Sequence, residues 1–121
     1  MQIEVTDPVL TDAIDAAEAK RLELETSLGK KVKMIALKGD ENDICFVYFL
    51  LATTETKKRC IDLSYSSLTK AEDFYFTSCV IRDGSDARVF KKDNDEDVFY
   101  LAALSYCGEQ INTASRIVKK K

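Results

Sequence analysis

The run Val98-Phe99-Tyr100-Leu101-Ala102-Ala103-Leu104-Ser105-Tyr106-Cys107 leaves this chain few ways to fold. Wound as a helix, it is apolar on nearly every side, and such a helix must be enclosed by other elements. Downstream the pattern narrows to a stripe, with Leu101, Leu104, Gly108, Ile111, Ser115 and Val118 recurring at alternating steps of three and four. The spacing predicts one helix over 94–118, roughly 37 Å long at 1.5 Å per residue, with that stripe as its buried face. Asp93 or Asn94 is placed to cap it. Asp95, Glu96 and Asp97 set negative charge in the first turn and Lys119, Lys120 and Lys121 positive charge at the far end, as the macrodipole favours.

The elements that enclose this rod are legible upstream. Residues 1–6 read as a short extended lead-in. Asp7-Pro8 is a helix start, a capping residue followed by proline at the first helical position. Leu10, Ile14, Ala17, Leu24 and Leu28 then share one face, Arg21 interrupts it, and Gly29 stops the helix. A helix over 8–28 is either packed on the domain or held out as an arm for a partner. Lys31 to Leu37 alternates as a half-buried strand does. Lys38-Gly39-Asp40-Glu41-Asn42 is a polar connection, and Ile44 to Leu51 reads as a strand covered on both faces. A lone pair of strands is marginal in water, so helices must cover this hairpin or another chain must extend it.

From Thr53 the period lengthens. Thr53 or Thr54 can cap a helix that turns Lys57, Lys58 and Arg59 outward and Cys60, Ile61 and Leu63 inward, ending near Tyr65-Ser66-Ser67. Thr69 with Glu72 forms a capping-box pattern opening a further helix through Val80. Arg82 to Asp86 is a turn, and Arg88-Val89-Phe90 reads as a brief strand or extended piece. The expected fold is therefore a single α+β domain over residues 1–121: an N-terminal helix, a two-stranded antiparallel hairpin, then three helices with the long last one buried.

Composition narrows the function classes. Hydrophobic residues make up 45% and charged residues 32% of 121, as in a soluble globular domain rather than a disordered chain. A net charge of −3 gives no electrostatic case for nucleic acid. No apolar run approaches the length of a membrane span, and the N-terminus lacks a basic region followed by an apolar core, so a cytoplasmic location is expected. The chain has no histidine, which removes the commonest general base and the triads built on it. Cys45, Cys60, Cys79 and Cys107 lie 15, 19 and 28 positions apart, each beside apolar residues, and read as buried free thiols. The cluster from Asp93 to Asp97 fails as a calcium loop, because Val98 stands where the glycine is needed and Leu104 where the bidentate carboxylate belongs. No enzymatic apparatus, cofactor or metal is expected.

What remains is protein contact. Phe74, Tyr75 and Phe76 are consecutive, so on a helix they cannot all face one core. Either one of them, Tyr75 or Phe76, is exposed to a partner, or the helix is sandwiched between two layers. Leu10 and Ile14 would supply the contact face if the first helix is an arm. Self-association is the other use of such surfaces.

In element order the chain resembles the small tail-assembly chaperones of long-tailed bacteriophages. The matching pieces are Leu28-Gly29-Lys30-Lys31-Val32-Lys33 before the first strand and Thr54-Glu55-Thr56-Lys57-Lys58-Arg59 after the second. Thr69-Lys70-Ala71-Glu72, Ser78-Cys79-Val80-Ile81 and the acidic turn at Asp83-Gly84 resemble the middle helix and its end. Leu101 to Ile111 resembles the alanine- and leucine-rich last helix. The resemblance implies a non-enzymatic role in the host cytoplasm, coating a tape-measure protein or recruiting tube subunits during virion assembly. The alternatives are a structural component of the virion itself, whether capsid auxiliary, head-completion or tail protein, and a small enzyme or ligand-binding domain outside phage biology.

Overall fold

The computed structural model describes residues 8–39 and 43–119, with side chains for 11–39 and 43–113. The fold is α+β: helix α1 (Pro8–Leu28), strands β1 (Val32–Lys38) and β2 (Ile44–Leu50), then helices α2 (Thr54–Ser64), α3 (Leu68–Cys79) and α4 (Val98–Lys119). The extended lead-in, the Asp7 cap, the hairpin tip at 40–42 and the lysines at 120 and 121 lie outside the described residues.

β1 and β2 pair antiparallel, from Val32 opposite Leu50 to Lys38 opposite Ile44. Alternation along the strands divides the core in two. Ile35, Leu37, Cys45, Val47 and Phe49 face α2, α3 and α4. Val32, Met34, Tyr48 and Leu50 face the other way, where Leu24 of α1 and Ile81 pack on them. The hairpin is thus the middle layer. Phe76 of α3 anchors the larger core, its ring meeting those of Phe49 at 6.1 Å, Phe90 at 5.7 Å and Tyr100 at 5.8 Å, the Phe49 and Tyr100 contacts edge-on. Edge-on geometry sets the positive rim of one ring against the negative face of the other.

Helix ends follow local chemistry. Gly29 takes a φ of 66° and donates its N–H to the Glu25 carbonyl at 2.9 Å, closing α1. Thr53 caps α2 by accepting from the Thr56 N–H at 3.1 Å. At α3 the cap is Ser67, which accepts from Lys70 N–H at 3.2 Å, not Thr69, which lies inside the first turn. Thr69 alone has the glutamate of a capping box three residues on, but Ser67 takes the cap because its backbone is extended there, with φ of −161°.

Four further expectations are corrected. The last helix starts at Val98 rather than 94, because Asp93 to Glu96 close a turn of their own through Glu96 N–H to Asp93 C=O at 2.9 Å. Its buried face runs through Phe99, Ala103, Leu104, Cys107 and Ile111, while Leu101 is 53% exposed. α3, α2, residues 87–90 and β1 meet the described part of the rod, and Val98, Leu101 and Ser105 stay exposed. Ala87–Phe90 is a turn of 3-10 helix, not a strand; Asp86 caps it by accepting from the Arg88 N–H at 3.0 Å. β2 also ends one residue early, leaving Leu51 exposed.

Candidate docking edge

The two outer edges of the hairpin have different fates. In an antiparallel ladder the main-chain groups of alternate residues point inward to the partner strand and outward to the edge. At β2 the outward groups belong to Phe46 and Tyr48, and the chain after α3 claims them. Ile81 N–H donates to the Tyr48 carbonyl at 2.8 Å and Asp86 N–H to the Phe46 carbonyl at 2.9 Å. The Tyr48 N–H donates to the Ser85 hydroxyl at 2.9 Å, and Val80 bridges to Phe49. Residues 80–86 therefore stand in for a third strand.

Directly opposite Tyr48 and Phe46 lie Met34 and Ala36, so their N–H and C=O groups point out from β1. Among the described residues only the first outward position on this side is served. The Val32 N–H donates to the Glu25 carboxylate at 2.8 Å, and the Val32 carbonyl accepts from the Arg21 guanidinium at 3.3 Å. Arg21 also holds Glu25 at 2.9 Å and Glu18. This explains the charge that interrupts the apolar face of α1: Arg21 reaches the strand edge and takes the place of a neighbouring strand's backbone. The Arg21 hydrogen bond holds the Glu18 carboxyl below the usual carboxylate range. Beyond Val32, no group among the described residues engages Met34 or Ala36.

A groove of about 310 Å³ follows this open edge. Ile14 of α1 forms one wall, Tyr106 and Glu109 of α4 the other, and Met34 and Ala36 lie along its floor. Tyr106 is braced by Phe49 at 5.2 Å, and burial pushes its phenol up to about 12, so it stays neutral. The Lys33 ammonium sits 5.5 Å from the Tyr106 ring centre, near enough for a cation–π attraction. Lys30, Lys31, Lys33 and Lys38 are all exposed, and among the described residues none of them forms an ion pair.

The residues singled out from sequence are placed as follows. Tyr75 and Phe76 are buried, 8% and 3% exposed, and neither is free for a partner; α3 packs on α2 and α4 and leaves Lys70, Asp73 and Thr77 exposed. Phe74 is half-buried, with the Arg59 guanidinium 6.0 Å from its ring centre. Ile14 is half-buried and lines the groove, and α1 packs on the sheet through the Tyr48 hydroxyl, which donates to the Ala17 carbonyl at 2.8 Å. The Leu10 side chain lies outside the described residues. Met34, Ala36 and Tyr106 were not singled out. The signal for them was the lysines around β1, since charge is how edge strands are commonly protected.

The remaining chemistry is quiet. All four cysteines are buried and unbridged. Burial pushes Cys45 up to about 12 and Cys79 to about 11, and raises Cys60 and Cys107 as well. Arg88 joins Asp43 at 2.7 Å to Asp86 at 2.9 Å and lies 4.7 Å from the Phe99 ring centre, tying the hairpin to the foot of α4. No helix among the described residues is long and apolar enough to cross a membrane. Comparison with protein-family models, with curated proteins and with solved structures finds no match to this chain.

Proposed function

We propose that this chain is a non-enzymatic assembly factor that acts by binding another protein, in the manner of the small tail-assembly chaperones of long-tailed bacteriophages that it resembles. One observation supports the reading most: a strand edge with free main-chain groups, set in a groove walled by Ile14 of α1 and by Tyr106 and Glu109 of α4, on a domain whose other strand edge is covered. Unpaired edges invite another chain, and proteins with no use for them tend to close them. The partner is a tape-measure or other tail structural protein, met in the cytoplasm of the host. Co-expression with tail proteins tests this, and the expected result is co-purification together with a gain in the partner's solubility. Neither effect, across tape-measure and tube proteins alike, would overturn the reading.

The same edge also suits a virion component whose sheet continues into a neighbouring subunit. Mass spectrometry of purified particles separates the two. An assembly factor is absent from them and a structural protein present.

A further inference from the structure

We infer that the open edge of β1, from Met34 to Lys38, receives an extended acidic segment of the partner as an added strand. The inference rests on the binding role proposed above and names its chemistry. Met34 and Ala36 offer outward N–H and C=O groups, and Lys38, two residues on and opposite Ile44, has the same parity. Val32 marks the other limit, because Glu25 and Arg21 already satisfy it. The available ladder is therefore five residues, about 17 Å at 3.4 Å per residue. An added strand alternates its side chains between the two sheet faces, so one set would lie against Ile14 and the other against Tyr106.

Charge selects the occupant. Lys33 and Lys38 project from this strand, with Lys30 and Lys31 just before it, all exposed and without ion-pair partners among the described residues. Glu109, on the α4 wall, is the acid that lines the groove. Lys33 and Lys38 project to opposite faces of β1, so an alternating acidic segment sets its carboxylates beside Lys33 in one register or beside Lys38 in the other and gains attraction in both, whereas a basic one meets repulsion. A second copy of this chain fits less well, since pairing β1 with its twin would crowd the lysines of both onto one ribbon.

The probe is a capped seven-residue peptide alternating valine and glutamate, compared with one alternating valine and lysine. Binding is followed by calorimetry and by amide hydrogen exchange. The acidic peptide is expected to bind and to slow exchange at Met34 and Ala36, and the basic peptide to do neither. Reversing Lys33→Glu and Lys38→Glu together should weaken the acidic peptide at least tenfold, while Lys57→Glu with Lys58→Glu on α2 leaves it unchanged. Ala36→Pro removes an outward donor and should abolish protection; the lysine reversals, at exposed side chains, keep the test valid if that variant unfolds. Equal binding of both peptides, or protection mapped to another element, overturns the inference. So does a dimer whose Met34 and Ala36 amides are protected without peptide, which assigns the edge to a second copy. Co-purification separates the two levels: a tail protein still captured by the lysine-reversed chain leaves the assembly role standing and removes this mode. Peptide binding with no tail protein captured does the reverse.

Discussion

β1 and β2 are neighbours of equal length in one hairpin, yet their outer edges are treated in opposite ways. The β2 edge is closed by residues 80–86 through three hydrogen bonds of 2.8, 2.9 and 2.9 Å. Among the described residues the β1 edge is closed only at Val32, and there by side chains. The difference lies in what the chain does next: after α3 it returns along β2, whereas α1 crosses the face of the sheet, packs on it through Leu24, and reaches the β1 edge with the side chains of Arg21 and Glu25. A structural edge is satisfied by backbone from the same chain. The open edge is lined instead by exposed lysines.

A proline scan along β1 should break the comparison most visibly. Ile35 turns its N–H inward to β2 and packs on the larger core, so Ile35→Pro is expected to cost about 3 kcal/mol or more. Ala36→Pro, one residue on, removes a donor with no partner and should change stability by about 1 kcal/mol or less. Urea midpoints of the two variants measure this, and similar losses would mean that the outward and inward parities are reversed.

At β2 the closing segment can be weakened in steps. Gly84 adopts a φ of 110°, and a methyl group there would also approach Lys20 and Leu24. Gly84→Ala should cost about 2 kcal/mol by straining that backbone. Ser85→Ala strips the acceptor from the Tyr48 N–H and should cost about 1 kcal/mol. Thermal unfolding of each, with exchange at the Tyr48 amide, checks both. The smallest effect is pH-dependent. The Arg88 hydrogen bond and charge hold the Asp86 carboxyl below its ordinary value. Its stabilising contribution is thus fully present above the unfolded pKa near 3.8 and is lost as pH falls through the lower, folded value. Asp86→Asn should be destabilising at pH 7, and its cost should shrink as pH falls below 3.8.

Much of this architecture could be read from residue order. Pro8 and Gly29 bound α1, the alternation from Val32 and the apolar run from Ile44 define the hairpin, and the greasy run from Phe99 marks the element against which α3 packs. What escaped was direction. Periodicity identifies a stripe on a helix but not which of two adjoining stripes meets the core, so Leu101 was read as buried and Phe76 as a contact candidate, when tertiary partners decide the reverse. The segment 80–86 was invisible for a related reason. Its pairing to β2 uses backbone groups and one hydroxyl, and a strand made of Val80, a turn and Ser85 has no alternating signature. The groove was half legible: Ile14 was marked for contact, but Met34 and Ala36 look like ordinary strand residues until the opposite strand fixes which way their main-chain groups point.

The buried thiols give the protein an internal clock for its own breathing. With Cys45 pushed up to about 12 and Cys79 to about 11, almost no thiolate exists at neutral pH while the domain is shut. Alkylation must therefore wait for each region to open. Cys45 sits in the hairpin, Cys60 in α2, Cys79 at the end of α3 and Cys107 in α4. The order in which a slow alkylating reagent marks them would rank the layers by how readily each comes apart, with no probe added to the natural sequence.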